Sequence, residues 1–158
     1  MGDIVIIAPH GDDEVIGCFD VLEKYKDNTR IAIVYGPEMD NQRREETLKL
    51  REYYSCHLIV QNIVPQYLVQ KENKFYFPNP TNEMHPDHRK WAQEGEVLAR
   101  NGLDVTFYTI QMNVPYIYKV ENRDKKEEIL NYVYSSQSDL WKYDKKYILF
   151  EGYCKWIF

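Results

Sequence analysis

The stretch Ile4-Val5-Ile6-Ile7-Ala8-Pro9-His10-Gly11-Asp12-Asp13-Glu14 decides how this chain is read. Its first five residues are apolar, mostly β-branched and not alternating, the pattern of a strand buried on both faces in a parallel sheet. Pro9 stops the strand. A helical pattern follows from about Glu14 to Tyr25, with Val15, Cys18, Phe19 and Leu22 on one face. Working outward, Arg30 to Tyr35 repeats the strand signature and ends at Gly36-Pro37. A charged helix is expected from about Gln42 to Tyr54, with Asp40 or Asn41 as its N-cap. His57 to Val60 reads as a third strand.

Residues 62 to 84 carry Pro65, Pro78 and Pro80 and read as loop with a short Phe-Tyr-Phe strand. Asp87 to Arg100 is helical, stopped by Asn101-Gly102, and Asp104 to Gln111 is a further strand. Pro115 limits Val114 to Val120 to an edge strand at best. A helix over Lys125 to Ser135 and a last strand over Tyr147 to Tyr153 complete the series. Strands alternating with helices predict an α/β fold: one Rossmann-like domain over residues 1–158, with a mainly parallel sheet flanked by helices. Such sheets bind ligands beyond the carboxyl ends of their strands, where the strand order reverses. The loop after the first strand is therefore the place to look for chemistry.

Composition narrows the function. With 158 residues, 44% apolar and 28% charged, the chain has the make-up of a soluble globular domain. A net charge of −5 without a dense Lys/Arg stripe argues against nucleic acid as the main partner. Every apolar run is far shorter than the roughly 18 residues of a membrane span. The first residues lack the basic start of a signal peptide. Three cysteines without CxxC spacing indicate reduced thiols, and a cytoplasmic location is expected. The sequence leaves a homo-oligomer open.

Two clusters carry the chemistry. His10, Asp12, Asp13 and Glu14 fall within five residues of one another after the first strand. Adjacent carboxylates at a strand end are unfavourable unless something positive sits beside them. A helix cap would account for one aspartate but does not call for His10. The second cluster, Met84-His85-Pro86-Asp87-His88, begins another helix, and the two clusters hold three of the four histidines in the chain. His10, Asp13 and His88 are two imidazoles and one carboxylate, a set that suits zinc with a position left for water. Elsewhere the bland reading is preferred. His57 reads as a structural histidine, Cys18 as a small buried thiol, and Trp91 as core at least as readily as a sugar platform. Taken alone, Arg43 in the run Gln-Arg-Arg-Glu-Glu reads as a solvated helix face.

The run Ala8-Pro9-His10-Gly11-Asp12-Asp13-Glu14-Val15-Ile16-Gly17-Cys18 resembles the first signature of the LmbE/PIG-L-type de-N-acetylases, and His85-Pro86-Asp87-His88 resembles their second. Weaker likenesses follow in order: Arg43-Arg44-Glu45-Glu46, Tyr134-Ser135-Ser136-Gln137 and Phe150-Glu151-Gly152-Tyr153. The resemblance implies one zinc ion per chain held by His10, Asp13 and His88, with Asp12 as general base. It makes His85 a cationic acid or oxyanion stabiliser oriented by Asp87, and gives Arg43 a part in substrate binding. The implied reaction removes an acetyl group from an N-acetylated sugar or related amide, a water activated by the metal attacking the carbonyl. Alternatives are another single-metal hydrolase and a non-catalytic carbohydrate-binding protein of the same fold. Gly11 stands where the family pattern has proline, and Phe19-Asp20 replaces small residues in the first helix.

Overall fold

Strand β1 (Ile4–Ala8) forms where the apolar run predicts it, and all five of its residues are buried. In the computed structural model, which describes residues 2–81, 83, 85–112 and 117–155, β1 lies between two parallel neighbours. These are β2 (Ile31–Tyr35) and β4 (Lys74–Pro78). With β3 (Cys56–Val60), β5 (Asp104–Tyr108), β6 (Ile117–Lys119) and β7 (Phe150–Lys155) they form one seven-stranded sheet ordered β3-β2-β1-β4-β5-β7-β6. The first five strands of that order are parallel; β7 is antiparallel to β5 and β6.

Both faces of the sheet are covered, which is why its central strands need no polar side. Ile4, Ile6 and Ala8 pack with Val15, Phe19 and Leu22 of α1 (Asp13–Tyr25) and with Ile129, Leu130 and Val133 of α4 (Arg123–Val133). Val5 and Ile7 turn the other way, onto Phe75, Phe77 and Phe107 and onto Trp91 of α3 (Pro86–Arg100). Each such side chain contributes roughly 1.5–3 kcal/mol on burial. Among the described residues no helix is long and apolar enough to cross a membrane.

Several expected elements differ in extent or kind. The charged helix, α2, ends at Leu48 and tightens into a 3₁₀ turn over Lys49–Glu52; Asp40 is its cap, accepting the Arg43 N–H at 2.8 Å. The proline-rich stretch hides a central strand. Pro78 closes β4 at its last residue, where a missing N–H does least harm, while Phe75 and Phe77 supply the buried face. Residues expected to begin the last strand fold instead as the one-turn helix α6 (Lys146–Leu149), after α5 (Asp139–Tyr143), and β7 starts only at Phe150. Of the expected edge strand, Ile117–Lys119 forms β6, and its first residues, Pro115 among them, lie outside the described residues. His57 is exposed on β3, an edge strand of the sheet. All three cysteines are free.

Helix α1 is broken once, at Cys18, whose φ of −132° and ψ of 24° are not helical. The reason lies in the packing. A Cβ on Gly17 would stand 2.3 Å from the Tyr108 ring, so this turn presses its backbone onto β5. The groups freed at the break are taken up by a buried ion pair. Lys126 Nζ donates to the Ile16 carbonyl at 2.7 Å and to Glu151 at 3.2 Å, and Glu151 accepts the Asp20 N–H at 3.2 Å. The replacement of small residues by Phe19-Asp20 is accommodated here, with Phe19 fully buried and Asp20 tied to β7 through its backbone.

Candidate metal centre

Strand order reverses at β1: β2 and β3 extend to one side, β4 and β5 to the other. The connections leaving β1 and β4 therefore part company and leave a crevice between them, the usual ligand position in such a sheet. The first connection carries His10 to Asp13. The second carries Glu83 and His85 and runs into α3, whose first turn holds Asp87 and His88. Two segments more than seventy residues apart in sequence thus meet at one place.

The meeting is close. Asp13 Oδ2 lies 3.1 Å from His88 Nε2 and 3.6 Å from His10 Nδ1, and it also accepts the His10 backbone N–H at 2.9 Å. One ligand atom from each of His10, Asp13 and His88 falls within 4.8 Å of the others. A tetrahedral zinc ion with bonds near 2.1 Å holds its ligand atoms about 3.4 Å apart. The separations of Asp13 from each imidazole bracket that value, and the three atoms lie close enough together for one ion to reach all of them. A second grouping, His10, His85 and Asp87, meets the same distance criterion. It is the poorer cradle, because His85 is half exposed and would leave a cation in contact with bulk water.

The field here favours positive charge. Burial pulls His88 down, but the Asp13 and Glu83 carboxylates beside its two ring nitrogens push it up to about 10. Burial likewise opposes protonation of His10, and Asp13 and Asp87 outweigh it, so its pKa is raised. Burial would raise Asp13, yet the His88 charge and hydrogen bonds from both imidazoles hold it far below the usual carboxylate range. Groups that hold protons this firmly can exchange them for a metal cation.

Asp12 differs from its neighbour. Its side chain lines the same cavity as the imidazoles and lies beside Arg43, whose Nη1 is 3.6 Å from Oδ2. Burial and the adjacent Asp13 charge push its pKa well up. Oδ2 is buried without a hydrogen bond. The backbone at Asp12 has φ 102°, a region L-residues rarely adopt. Several contacts impose it. The Asp12 N–H donates to Glu14 Oε2 at 3.1 Å, Tyr134 Oη donates to the other Glu14 oxygen, and the Gly11 N–H donates to Met39 Sδ at 3.1 Å. Gly11 is required as it stands. A Cβ there would meet Thr47, Met39 and Tyr134 at 2.8 to 3.1 Å, and a proline would lose the N–H given to Met39.

Arg43 is turned inward. Its side chain is 16% exposed, it donates to the Gly11 carbonyl, and it lines the same cavity of about 270 Å³ as the His/Asp cluster. A charge run read in sequence as a solvated face gives up one member to the site. His85 stands at the rim as the cap of α3, its Nδ1 accepting the Asp87 N–H at 3.2 Å. Burial and the charges of His10 and His88 lower its pKa, which favours the neutral ring, and with Nδ1 accepting from Asp87 that ring carries its proton on Nε2. Asp87 pairs elsewhere than expected: its Oδ2 is 2.8 Å from His10 Nε2 and 3.8 Å from His85 Nδ1. Trp91 is core, 1% exposed.

Sequence reasoning passed over Glu83, Ile110, Leu140 and Tyr147, which also line the cavity. Glu83, two residues before the His-Pro-Asp-His run, was the one within reach of a local argument. The others come from the loop after β5 and from α5 and α6, and nothing in their surroundings marks them.

The fold and this site together define an α/β protein with a cavity of about 270 Å³ and a His-Asp-His cluster at the switch point of its sheet. No protein-family model and no curated protein matches the chain. A solved structure does: N,N'-diacetylchitobiose deacetylase from Pyrococcus horikoshii, complexed with its inhibitor MPG. It is similar with a TM-score of 0.64 at 17% sequence identity, over 92% of this chain and 75% of that one. At that identity the likeness establishes the fold.

Proposed function

We propose that this protein is a zinc-dependent hydrolase that removes an acetyl group from an N-acetylated sugar or related amide, with one ion held by His10, Asp13 and His88. The observation that carries the reading is the convergence of His10, Asp13 and His88 in one cavity with two further groups, Asp12 and His85, that holding a metal does not require. A zinc ion in this position would acidify water and polarise a carbonyl. Asp12 then has the work of a base. Burial has strengthened its hold on a proton, and its free Oδ2 is placed to take one from the attacking water. His85 offers an Nε2–H donor at the rim, where it can hydrogen-bond the negative charge that develops on the carbonyl oxygen, and Asp12 can carry the proton taken from water on to the leaving amine. Arg43 steadies Asp12 and presents a cation to the substrate. A cavity of about 270 Å³ accepts one sugar-sized group, and Ile110, Leu140 and Tyr147 give apolar surface for the C–H face of a ring.

The fold likeness to a deacetylase, the two sequence motifs and this division of roles support the same reaction. The test is acetate or free-amine release from a panel of N-acetylated amino sugars by zinc-reconstituted protein, run beside a binding titration. His85→Ala should keep one zinc per chain and bind sugar almost unchanged while turnover falls by roughly two to three orders of magnitude. His88→Ala should lose the metal. Sugar binding without acetate release across the panel, with His85→Ala indistinguishable from wild type, would show a carbohydrate-binding protein instead.

A further inference from the structure

The imidazoles of the cluster are each approached from behind by a carboxylate, and one of these pairs has no place in the reaction described above. His10 turns one nitrogen to Asp13 and the other, Nε2, to Asp87 at 2.8 Å. His88 repeats the arrangement with its nitrogens exchanged. Its Nε2 faces Asp13 at 3.1 Å, and its Nδ1 faces Glu83 Oε2 at 3.4 Å. Only 7% of the Glu83 side chain is exposed, and its other oxygen accepts the His85 N–H at 3.0 Å. One carboxylate therefore touches both histidines of the second cluster, one through a ring and one through the main chain. His88 Nδ1 is buried and makes no hydrogen bond of ordinary geometry. A contraction of about half an ångström towards Glu83 would complete one.

We infer that Glu83 is a positioning residue for the metal: it binds the Nδ1–H of His88, fixes that tautomer, and so presents the Nε2 lone pair beside Asp13 to the cation. The physical reason is general. A neutral imidazole has one bare nitrogen, and which one is bare depends on what the other can donate to. A carboxylate behind the ring also strengthens the ring as a donor to the metal. Glu83 does for His88 what Asp87 does for His10, the one from the connection that leads from β4 into α3 and the other from the first turn of α3. That segment thus supplies one ligand and the supports for two.

The inference rests on the metal reading, and the test separates the two. Zinc affinity is measured by competition with a chromophoric chelator for wild type, Glu83→Ala, Glu83→Gln and His88→Ala. The His88 ring nitrogens are followed in the zinc-loaded proteins by long-range ¹H–¹⁵N spectra. Glu83→Ala should bind one zinc about 10- to 100-fold more weakly than wild type, with the His88 Nδ1–H signal lost or exchange-broadened. Glu83→Gln should fall between them, because its single carbonyl oxygen can serve the His85 N–H or His88 but not both. If Glu83 only braces the turn, the variants lower thermal stability while zinc affinity and the His88 signal stay at wild-type values, and the inference is overturned. If wild type itself takes up no zinc, the metal reading falls and takes this inference with it. Should Glu83→Ala fail to fold, Glu83→Gln, which keeps the size and one acceptor, decides by the same two readouts.

Discussion

Helix α1 meets buried charge at two points, and they are built on opposite plans. At the Cys18 break, Lys126 and Glu151 are both fully buried, and neither lacks hydrogen-bond partners. The ammonium serves the Ile16 carbonyl, and the carboxylate takes the Asp20 N–H and the Tyr153 hydroxyl, the latter at 2.6 Å. At the N-terminus, Asp12 Oδ2, Arg43 Nε and His88 Nδ1 are buried with no hydrogen bond, and Asp12 holds a backbone conformation unfavourable to it. Buried charge alone therefore does not mark a site in this protein. A satisfied cluster away from any cavity that binds it is scaffold; an unsatisfied, strained one lining a cavity is poised for something absent from the chain itself.

The largest expected effect falls on the satisfied cluster. Lys126→Ala strands the Glu151 charge in the core, and chemical denaturation should show a loss of about 3–5 kcal/mol, with zinc affinity unchanged. Pairing Lys126→Met with Glu151→Leu should recover only part of this, because the Ile16 carbonyl and Asp20 N–H remain unpaired. Full recovery by the double variant would mean that the break in α1 does not depend on these hydrogen bonds.

The strained cluster should respond in the reverse sense. Asp12→Gly removes both an orphaned buried oxygen and an unfavourable φ, so stability should rise by about 1 kcal/mol. Acetate release should fall by about a hundredfold or more for want of the base. Loss of stability in Asp12→Gly would indicate that the Arg43 contact outweighs the strain, and would blur the contrast between the two clusters.

A further expected effect is a pH dependence set by the histidine cluster. In metal-free protein the His88 pKa stands raised at about 10 and that of His10 is raised too. A raised folded value adds stability that is complete below the unfolded value of about 6.5 and is lost as pH climbs through the folded one. The melting temperature of chelator-treated protein should therefore drop between about pH 7 and pH 10. Zinc-saturated protein should not show that drop, since its imidazoles are already deprotonated. Identical profiles with and without zinc would remove the imidazole charges from the account.

How much could be read beforehand depends on distance along the chain. The strand at Ile4–Ala8, the helix after it and the helix after Pro86 were legible because periodicity, caps and breakers act over a few residues. The central strand β4 was legible only as a short apolar triplet among prolines, because its place is decided by pairing with β1 and β5. The one-turn helix α6 was taken for strand because Tyr147, Ile148 and Leu149 are apolar under either period, and four residues cannot separate the two. In the site, His10 and Asp13 belong together by spacing alone, as do His85, Asp87 and His88.

What the sequence determined by itself is thus local: two clusters of metal-binding residue types, each at the start of a helix, within an alternating α/β pattern. Only the tertiary structure decided which members face one another. It seated β4 beside β1 and so brought Glu83, Asp87 and His88 to His10 and Asp13. It gave Asp87 to His10 in place of His85, turned Arg43 from solvent towards Asp12, and reached from Tyr134 across 120 residues to hold Glu14. The physical reason is that hydrogen bonds and ion pairs act over about 3 to 4 Å. Strand order and register set distances on that scale, and no local run of residues encodes them.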